Sequence, residues 1–372
     1  MDKQLTRAPR RWRRKAIAAG VLMAGLGAAA FVAIGHGRGH DDGPPQRDMA
    51  IDAAVRAEVI HAAVAQLDRA YVFPDQAARM HALLLGKLQQ GDFDRIDSAE
   101  DFADRLTTVL REASHDGHLE VRYVEQAVPA EVPGQTPPAA EQAHEHVEQL
   151  RFNFGLAEVK RLQGNLGYID LHQLGRPDGA DLRMADAFGL LRDTQALVID
   201  LRHCTGGDPD TVMHFASYLF DQPTHLNDVY WRDENRTEVR WTSATVPGPR
   251  YGQRRAVYLL TSGDTFSGCE DLAYALKNAH RAILVGETTG GGAHAGSPQR
   301  LDAHFMMFVP SGRPVSPVTH TDWEGVGVVP DVPTSAGKAS DTAQLLALRD
   351  IVAREQDPDW KRRVQQRVHD LE

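Results

Sequence analysis

The chain has 372 residues, of which 42% are hydrophobic and 25% are charged, and its formal net charge is −10. This length allows two domains with a sizeable core. The acidic balance argues against a nucleic acid as the partner, because phosphate backbones bind basic surfaces.

The first segment is strongly basic and then apolar. Residues 7–15 read RAPRRWRRK, and residues 16–35 are uncharged and mostly apolar. This order is typical of a signal peptide or a signal anchor, and the run is long enough to span a bilayer. We therefore expect residues 1–15 to stay cytoplasmic and residues 16–35 to export the chain or to anchor it in the membrane. The rest would work outside the cytoplasm, in the periplasm or at the cell surface.

A polar tether, residues 36–48, leads to a region predicted to form a small helical cap, residues 49–115. In three stretches of that region apolar residues recur at helical spacing. The stretches contain Val55, Val59 and Ile60, then Met80, Leu84 and Leu88, and then Phe102, Leu106 and Val109. Three short helices make a cap more readily than a catalytic core.

Residues 116–335 are predicted to form the core. Within them, residues 125–150 are predicted to be a flexible loop, because their first half is rich in Pro, Ala and Glu. Beyond this loop strands alternate with helices, which predicts an α/β fold with a parallel or mixed sheet. The predicted strands are 167–171, 196–201, 256–260 and 282–286, and the predicted helices are 180–191, 210–220 and one that begins near 267. Residues 336–372 are predicted to be a C-terminal helical segment.

The turn at Ser267 joins a buried strand to a helix. A serine at such a turn can present a nucleophilic hydroxyl, and the free N–H groups at the helix N-terminus can stabilise a developing oxyanion. The spacing of Ser267 and Glu270 is equally typical of a capping box, in which the serine only caps the helix. On this segment alone both interpretations stay open.

A second glycine-containing turn, Gly206-Gly207, follows the strand 196–201. A backbone N–H there could join that of Gly268 as an oxyanion hole. Alternatively the glycines only make a tight turn, and Asp200 with Arg202 form a structural ion pair.

A serine nucleophile needs a base, and histidine is the expected residue type. His118 precedes a predicted strand, while His203 and His294 lie near the glycine turns. Glu324 follows a tryptophan in a glycine-punctuated loop and could orient a histidine, or it could be an exposed loop carboxylate.

Neither HExxH nor CxxC spacing occurs, so no metal and no cofactor is expected. Cys204 and Cys269 lie beside the two turns and fit an exported chain with one disulfide or none.

These segments resemble the serine peptidase superfamily of C-terminal processing (tail-specific) proteases. The similarity is greatest to the branch that contains interphotoreceptor retinoid-binding protein and the catalytic domain of tricorn protease. The matching pieces, in family order, are DGHLEV, GNLGYIDL, DLRHCTGGDP, LTSGDTFSGCEDLAYALKNAHRAILVGETTGGGAH, FVPSGRPVSP and WEGVGVVPDV. The resemblance implies a ClpP/crotonase-like mixed sheet with helices, preceded by the three-helix cap. About forty residues separate Tyr123 from Gly164, too few for the PDZ domain of the processing proteases.

The resemblance also implies roles for the residues of the matching pieces. Ser267 would be the nucleophile and His118 the base. His294 stays the alternative base because of its place near the glycine turns. Glu324 would be the supporting carboxylate of the charge network. The oxyanion hole would combine the amide of Gly268 with that of Gly206 or Gly207.

The chain departs from the superfamily at three places. The catalytic lysine of the processing proteases falls at Gly292, which excludes a Ser–Lys dyad. Gly117 stands where tricorn has a serine beside the histidine. Cys204 and Cys269 replace the usual asparagine and a small residue.

The implied function is a serine-type peptidase that cleaves peptide or protein substrates through an acyl-enzyme. The alternative is a catalytically inactive binding protein for a lipophilic, retinoid-like ligand on the same fold. The distance from Ser267 Oγ to the His118 ring distinguishes the two, because proton transfer needs hydrogen-bond contact.

Overall fold

The computed structural model describes residues 46–130 and 139–372. The predicted basic start and the apolar segment 16–35 lie outside the described residues, as does most of the tether. No helix in the described ranges is both long enough and apolar enough to span a bilayer.

The N-terminal unit consists of three helices, as its periodicity predicts. They are α1 (Ala53–Ala70), α2 (Pro74–Gln89) and α3 (Ala99–Ser114). The side chain of Asp52 caps α1 and that of Ser98 caps α3, each by accepting hydrogen bonds from first-turn N–H groups. Apolar residues of all three helices belong to one buried cluster, so the apolar faces of the helices point to the same side of the unit.

That apolar side packs on an antiparallel sheet, so the three helices are not an isolated cap. The strands of this sheet are β1 (Glu120–Tyr123), β5 (Asp228–Trp231), β6 (Arg236–Glu238), β9 (Ala295–Arg300) and β10 (Phe305–Val315). The long strand β10 pairs with β1 and β5 in succession and also with β9. Residues from both layers share one core, among them Phe102, Leu106, Val121, Phe305 and Met307.

The second sheet has six strands and confirms the predicted α/β fold with a mixed sheet. Its strands are β2 (Leu156–Leu162), β3 (Leu166–Leu171), β4 (Ala196–Asp200), β7 (Ala256–Thr261), β8 (Ile283–Gly286) and β11 (Val332–Pro333). Their order is β11-β8-β7-β4-β3-β2, and every pair is parallel except β2 with β3. Strand β4 is buried along its whole length, as expected for a parallel strand covered on both faces.

Helices cover both faces of this mixed sheet. On one face lie α5 (Pro177–Leu191), α6 (Pro209–Ser217) and α7 (Gly268–Asn278). On the other lie α8 (Ala336–Arg354) and α9 (Pro358–Leu371), which are formed by the C-terminal segment.

One element differs from its prediction. Residues 139–150, predicted as part of the flexible loop 125–150, lie in helix α4 (Ala139–Arg151). The proline-rich stretch before residue 139 dominates the composition of the region, whereas AAEQAHEHVEQLR is made mostly of good helix formers. The prediction of a loop was therefore wrong for these residues.

Candidate active site

Ser267 lies at the turn between β7 and α7, at the carboxyl end of a parallel strand. Its backbone has φ 52° and ψ −123°, a region that residues with a side chain rarely adopt. Holding a serine there costs about 1–3 kcal/mol. Such a turn lifts the hydroxyl out of the sheet edge and leaves the first N–H groups of the helix beside it.

The hydroxyl of Ser267 meets the ring of His118. The distance from Oγ to Nε2 is 3.0 Å, although the two residues are 149 positions apart. His118 comes from the segment before β1, so the two members of this pair come from segments that belong to different sheets. The imidazole lies between the rings of Phe266 and Phe308, at centroid distances of 4.7 and 5.8 Å, and is almost fully buried.

The two interpretations of the Ser267 turn are resolved by these hydrogen bonds. The backbone N–H of Ser267 donates to Oε2 of Glu270 at 2.9 Å, which is the glutamate half of a capping box. The N–H of Glu270 donates to the carbonyl oxygen of Ser267, also at 2.9 Å. The serine Oγ is therefore directed to His118 while the glutamate caps the helix.

Glu270 also connects the nucleophile turn to the glycine-rich loop that follows β8. Its buried carboxylate accepts hydrogen bonds from the N–H groups of Gly291 at 2.7 Å and Gly292 at 2.8 Å, and from the hydroxyl of Thr289. Burial raises the pKa of Glu270 to about 7, against the effect of these donors. The sequence analysis assigned this residue only a capping role.

Of the three predicted oxyanion donors, Gly207 and Gly268 line the cleft that contains Ser267. The N–H of Gly206 donates to Sγ of Cys269 at 3.2 Å, so it is not directed at the cleft. The contribution of Gly206 is that its backbone can lie close to Ser267. A Cβ on Gly206 would lie 3.0 Å from Cβ of Ser267, and its φ of 130° also favours glycine. The Gly268 N–H is in the first turn of α7 and has no acceptor within the helix. Both remaining donors line the cleft beside Ser267.

Cys204 and Cys269 form a disulfide, and both are fully buried. The bond joins the loop that carries Gly207 to the first turn of α7, so the segments that carry the two candidate oxyanion donors are covalently linked. The adjacent ion pair of Asp200 with Arg202, at 2.6 Å, is also present.

Replacing both cysteines with serine is expected to lower the free energy of unfolding by about 2–5 kcal/mol. We expect kcat to fall by about tenfold, because the oxyanion donors are then held less firmly. Urea denaturation and peptide hydrolysis measure the two effects. Dithiothreitol should reproduce both in the wild type and change nothing in the double variant, since the chain has no other cysteine. A double variant as active and stable as the wild type would contradict this role.

Gly292 explains why a Ser–Lys dyad is absent. A Cβ at this position would lie 2.1 Å from Cζ of Phe266 and 2.8 Å from Cε1 of His118. The space that a lysine stem would need is therefore filled by the histidine base and the ring stacked on it.

Of the three candidate histidines, His118 is the one that bonds Ser267. His203 is exposed, with its ring 5.9 Å from that of His172. His294, named as the alternative base, is 2% exposed, and its Nδ1 lies 2.7 Å from Oδ2 of Asp116. Asp116 holds the proton on Nδ1 of His294 and so raises its pKa, although burial acts in the opposite direction.

Glu324 is not the exposed loop carboxylate of the alternative interpretation. Its side chain is 15% exposed, and Oε2 accepts hydrogen bonds from the N–H groups of Ala293 at 2.6 Å and His294 at 3.2 Å. Oε2 also lies 3.5 Å from Nδ1 of His294. Glu324 thus supports the glycine-rich loop and His294, and its hydrogen bonds are not to the ring of His118.

Asp116 is the site residue that sequence reasoning missed. It is 1% exposed and accepts hydrogen bonds from the hydroxyl of Tyr71 at 3.1 Å and from the backbone N–H of His118 at 3.0 Å. The usable signal was its place two residues before the base, where an aspartate can accept a local backbone N–H. Burial acts to raise the pKa of Asp116, but His294 holds it below its usual range.

Asp116, His294 and Glu324 are also the residues that could together ligate a metal ion, because one ligand atom from each lies within 4.8 Å of the others. The absence of a metal from the reaction stays a prediction.

The pair of Ser267 and His118 opens on a cleft of about 410 Å³ whose walls include Trp231 and Phe308. A cleft with apolar walls of this kind suits the side chains of a peptide.

The stability of the fold should depend on the protonation of Glu324. Burial, reinforced by the charge of Asp116, raises the pKa of Glu324 to about 7. A pKa raised on folding contributes stability below pH 4.5 that is lost as the pH rises through 7. We therefore expect Glu324→Gln to gain about 1–3 kcal/mol relative to the wild type between pH 5 and pH 8. Urea denaturation at the two pH values measures this. A difference that is constant, or that favours the wild type at pH 8, would contradict it.

Two family models match this chain. The model for Peptidase family S41 matches residues 165–334. The model for the N-terminal domain of Peptidase_S41 in eukaryotic IRBP matches residues 50–153. The chain belongs to peptidase family S41. The predicted superfamily is confirmed, and the prediction of a serine-type peptidase is confirmed at the level of the family.

Relatives of this S41 chain include two curated proteins of Arabidopsis thaliana. Carboxyl-terminal-processing peptidase 3, chloroplastic, is 30% identical over 171 residues, which are 46% of this chain and 32% of that protein. Carboxyl-terminal-processing peptidase 2, chloroplastic, is 31% identical over 170 residues, which are 45% of this chain and 32% of that protein. The chain thus spans about a third of the length of these relatives.

A solved structure of a lipoprotein from Streptococcus agalactiae is similar to the S41 chain in fold. It covers 83% of this chain and 100% of its own, with a TM-score of 0.51 and 13% sequence identity. This likeness supports the fold described above and carries no statement about activity.

Proposed function

We propose that this protein hydrolyses peptide bonds of peptide or protein substrates through an acyl-enzyme on Ser267. Ser267 Oγ attacks the amide carbonyl carbon while its proton passes to Nε2 of His118. The N–H groups of Gly207 and Gly268 stabilise the resulting oxyanion. His118 then gives the proton to the leaving amine, and the C–N bond breaks. A water molecule that gives its proton to His118 cleaves the ester, and the proton returns to Ser267.

The single observation that carries this proposal is the 3.0 Å contact between Ser267 Oγ and His118 Nε2. A binding protein for a lipophilic ligand does not need this contact. A wide gap filled by apolar side chains between the two residues would have favoured the binding protein over the peptidase. The strained backbone of Ser267 points the same way, because strain of this kind accumulates where a reacting group must be presented.

The test is to treat the purified protein with a fluorophosphonate probe and with a peptide library. We expect labelling of Ser267 and cleavage, and we expect Ser267→Ala to lose both, with kcat at least about 10³-fold lower. Ser340→Ala, on the far helix α8, is the matched control and should react like the wild type. A wild type that neither reacts with the probe nor cleaves peptides would overturn the proposal.

We also infer that the protein works outside the cytoplasm, exported or anchored by residues 16–35. The basic and then apolar N-terminus supports this, and so does a buried disulfide, which persists in oxidising compartments. Alkaline phosphatase fused after residue 48 should be active in a bacterial host and inactive when residues 7–35 are deleted. Equal activity of both fusions would refute export.

A further inference from the structure

Behind the pair of Ser267 and His118 lies a second set of titratable groups, which the mechanism above does not use. Asp116, His294 and Glu324 bring one ligand atom each within 4.8 Å of one another. Their side chains are 1%, 2% and 15% exposed, so water screens their charges little. We call these three residues the acid–imidazole cluster.

We propose that the acid–imidazole cluster positions His118 for proton transfer with Ser267, so that Asp116 and His294 are positioning residues of the reaction. This inference rests on the proposed function. The hydrogen bonds of the cluster do not reach Ser267. They reach the backbone N–H of His118 and the loop that follows Gly292.

The first connection runs through Asp116. Its Oδ1 accepts the backbone N–H of His118 at 3.0 Å, and its Oδ2 accepts the proton on Nδ1 of His294 at 2.7 Å. The carboxylate of Asp116 therefore fixes the backbone of His118. The same carboxylate is stabilised by the positive charge of a second histidine, His294. A charge-assisted hydrogen bond of this length is among the stronger contacts in a buried site.

The second connection runs through Glu324. Its Oε2 accepts the N–H groups of Ala293 and His294, which fixes the loop directly after Gly292. A Cβ on Gly292 would lie 2.8 Å from Cε1 of His118, so this loop packs directly against the ring of His118. The cluster thus holds His118 both from its own backbone and from the wall that its ring contacts.

The charge balance of the cluster depends on the proton of His294. With His294 protonated, its positive charge lies 2.7 Å from the carboxylate of Asp116 and 3.5 Å from the carboxyl group of Glu324. Without that proton the buried carboxylate of Asp116 loses its nearest positive charge. The other polar or charged groups that face the cluster are the hydroxyl of Tyr71, which donates to Asp116, the guanidinium of Arg111, whose charge acts on Asp116, the charge of Asp322, which acts on His294, and His118 itself. The ring of Phe73 closes the side of His294 at a centroid distance of 5.3 Å. We therefore expect the active form to carry the proton on His294.

The decisive variants are Asp116→Asn and His294→Gln. Asparagine can still accept the N–H of His118, and glutamine can still donate to Asp116, so each keeps a hydrogen bond and removes a charge. We expect kcat to fall by about 10- to 100-fold with KM changed less than about threefold, because the base is displaced and the cleft is not. The alkaline limb of the pH profile should move to lower pH in Asp116→Asn and disappear in His294→Gln.

A matched pair of control variants comes from strand β3 and the residue after it. Asp170, which is 20% exposed, and His172, which is 52% exposed, form an aspartate–histidine pair at 3.5 Å, and Asp170→Asn and His172→Gln should keep the kcat and pH profile of the wild type. Unchanged kcat in both cluster variants, or a loss that leaves the pH profile where it was, would overturn the proposal in favour of a purely structural cluster.

A spectroscopic measurement keeps the inference testable if the protein proves not to be a peptidase. In protein with ¹⁵N-labelled histidine, the His294 ring should titrate at lower pH in Asp116→Asn than in the wild type, and the signals of the His118 ring should shift in the same variant. Peptidase inactivity of the wild type would remove the proposed function alone. Histidine signals that Asp116→Asn leaves unmoved would remove the inference alone.

Discussion

Replacing His118 with alanine is expected to lower kcat/KM by about 10²- to 10⁴-fold, the contribution of a positioned general base. The reason is the 3.0 Å contact of its Nε2 with Ser267 Oγ, which no other hydrogen bond of the site duplicates among the described residues. The rate of fluorophosphonate labelling should fall in parallel, because the serine hydroxyl is no longer deprotonated as it attacks.

The control for this substitution is His203→Ala, which removes an exposed histidine near the same glycine turn and should keep the activity within about twofold. Thermal unfolding of each variant shows whether the fold is retained. Wild-type activity in a folded His118→Ala protein would rule out His118 as the base. In that case His294→Ala would be the next variant, since His294 also lines the cleft.

Replacing Glu270 with alanine is expected to affect both stability and activity. Four donors would lose their acceptor inside the protein: the N–H groups of Ser267, Gly291 and Gly292 and the hydroxyl of Thr289. Each buried donor left without a partner costs about 1–3 kcal/mol, so we expect the four together to lower the free energy of unfolding by about 4 kcal/mol or more. Activity should fall as well, because the turn that holds Ser267 and the wall at Gly292 are both released.

Two variants separate this role from a simple loss of charge. Glu287→Ala removes an exposed carboxylate that accepts one N–H, from Ala336, and should cost about 1 kcal/mol or less. Glu270→Gln keeps the shape and one acceptor oxygen, so it should lie between Glu270→Ala and the wild type. If Glu270→Ala unfolds at the same urea concentration as Glu287→Ala, the four hydrogen bonds do not have the importance assigned to them.

The pair of Ser267 and His118 was predictable because short motifs constrain both residues locally. A serine between a buried strand and a helix can be recognised from a few neighbours, and the resemblance of the six segments supplied the partner. The apolar strands β4 and β7 were found for a similar reason, since burial on both faces leaves near-continuous apolar runs. Helix α4 was missed because the prolines before it dominated the composition of its region.

The environment of the pair was not predictable in the same way. Asp116 and His294 are 178 positions apart, and no pattern in the sequence around either residue predicts their contact. Glu270 fits an ordinary capping box, and only the folded chain shows that its carboxylate also accepts donors from the glycine-rich loop. The partners of Glu324 are backbone N–H groups, which every residue except proline carries and which leave no sequence signature. Contacts of this kind are set by how layers pack, and one sequence does not reveal them.

Ser267, the proposed nucleophile, belongs to the mixed sheet, whereas His118, the proposed base, comes from the segment that enters the antiparallel sheet. A copy of this chain in which either layer has folded alone therefore has a serine without a base, or a base without a serine. Such a copy cannot attack the unfolded chains around it, including other copies of itself still being made. Under the proposed function, peptide cleavage therefore requires that both layers are folded and packed on each other.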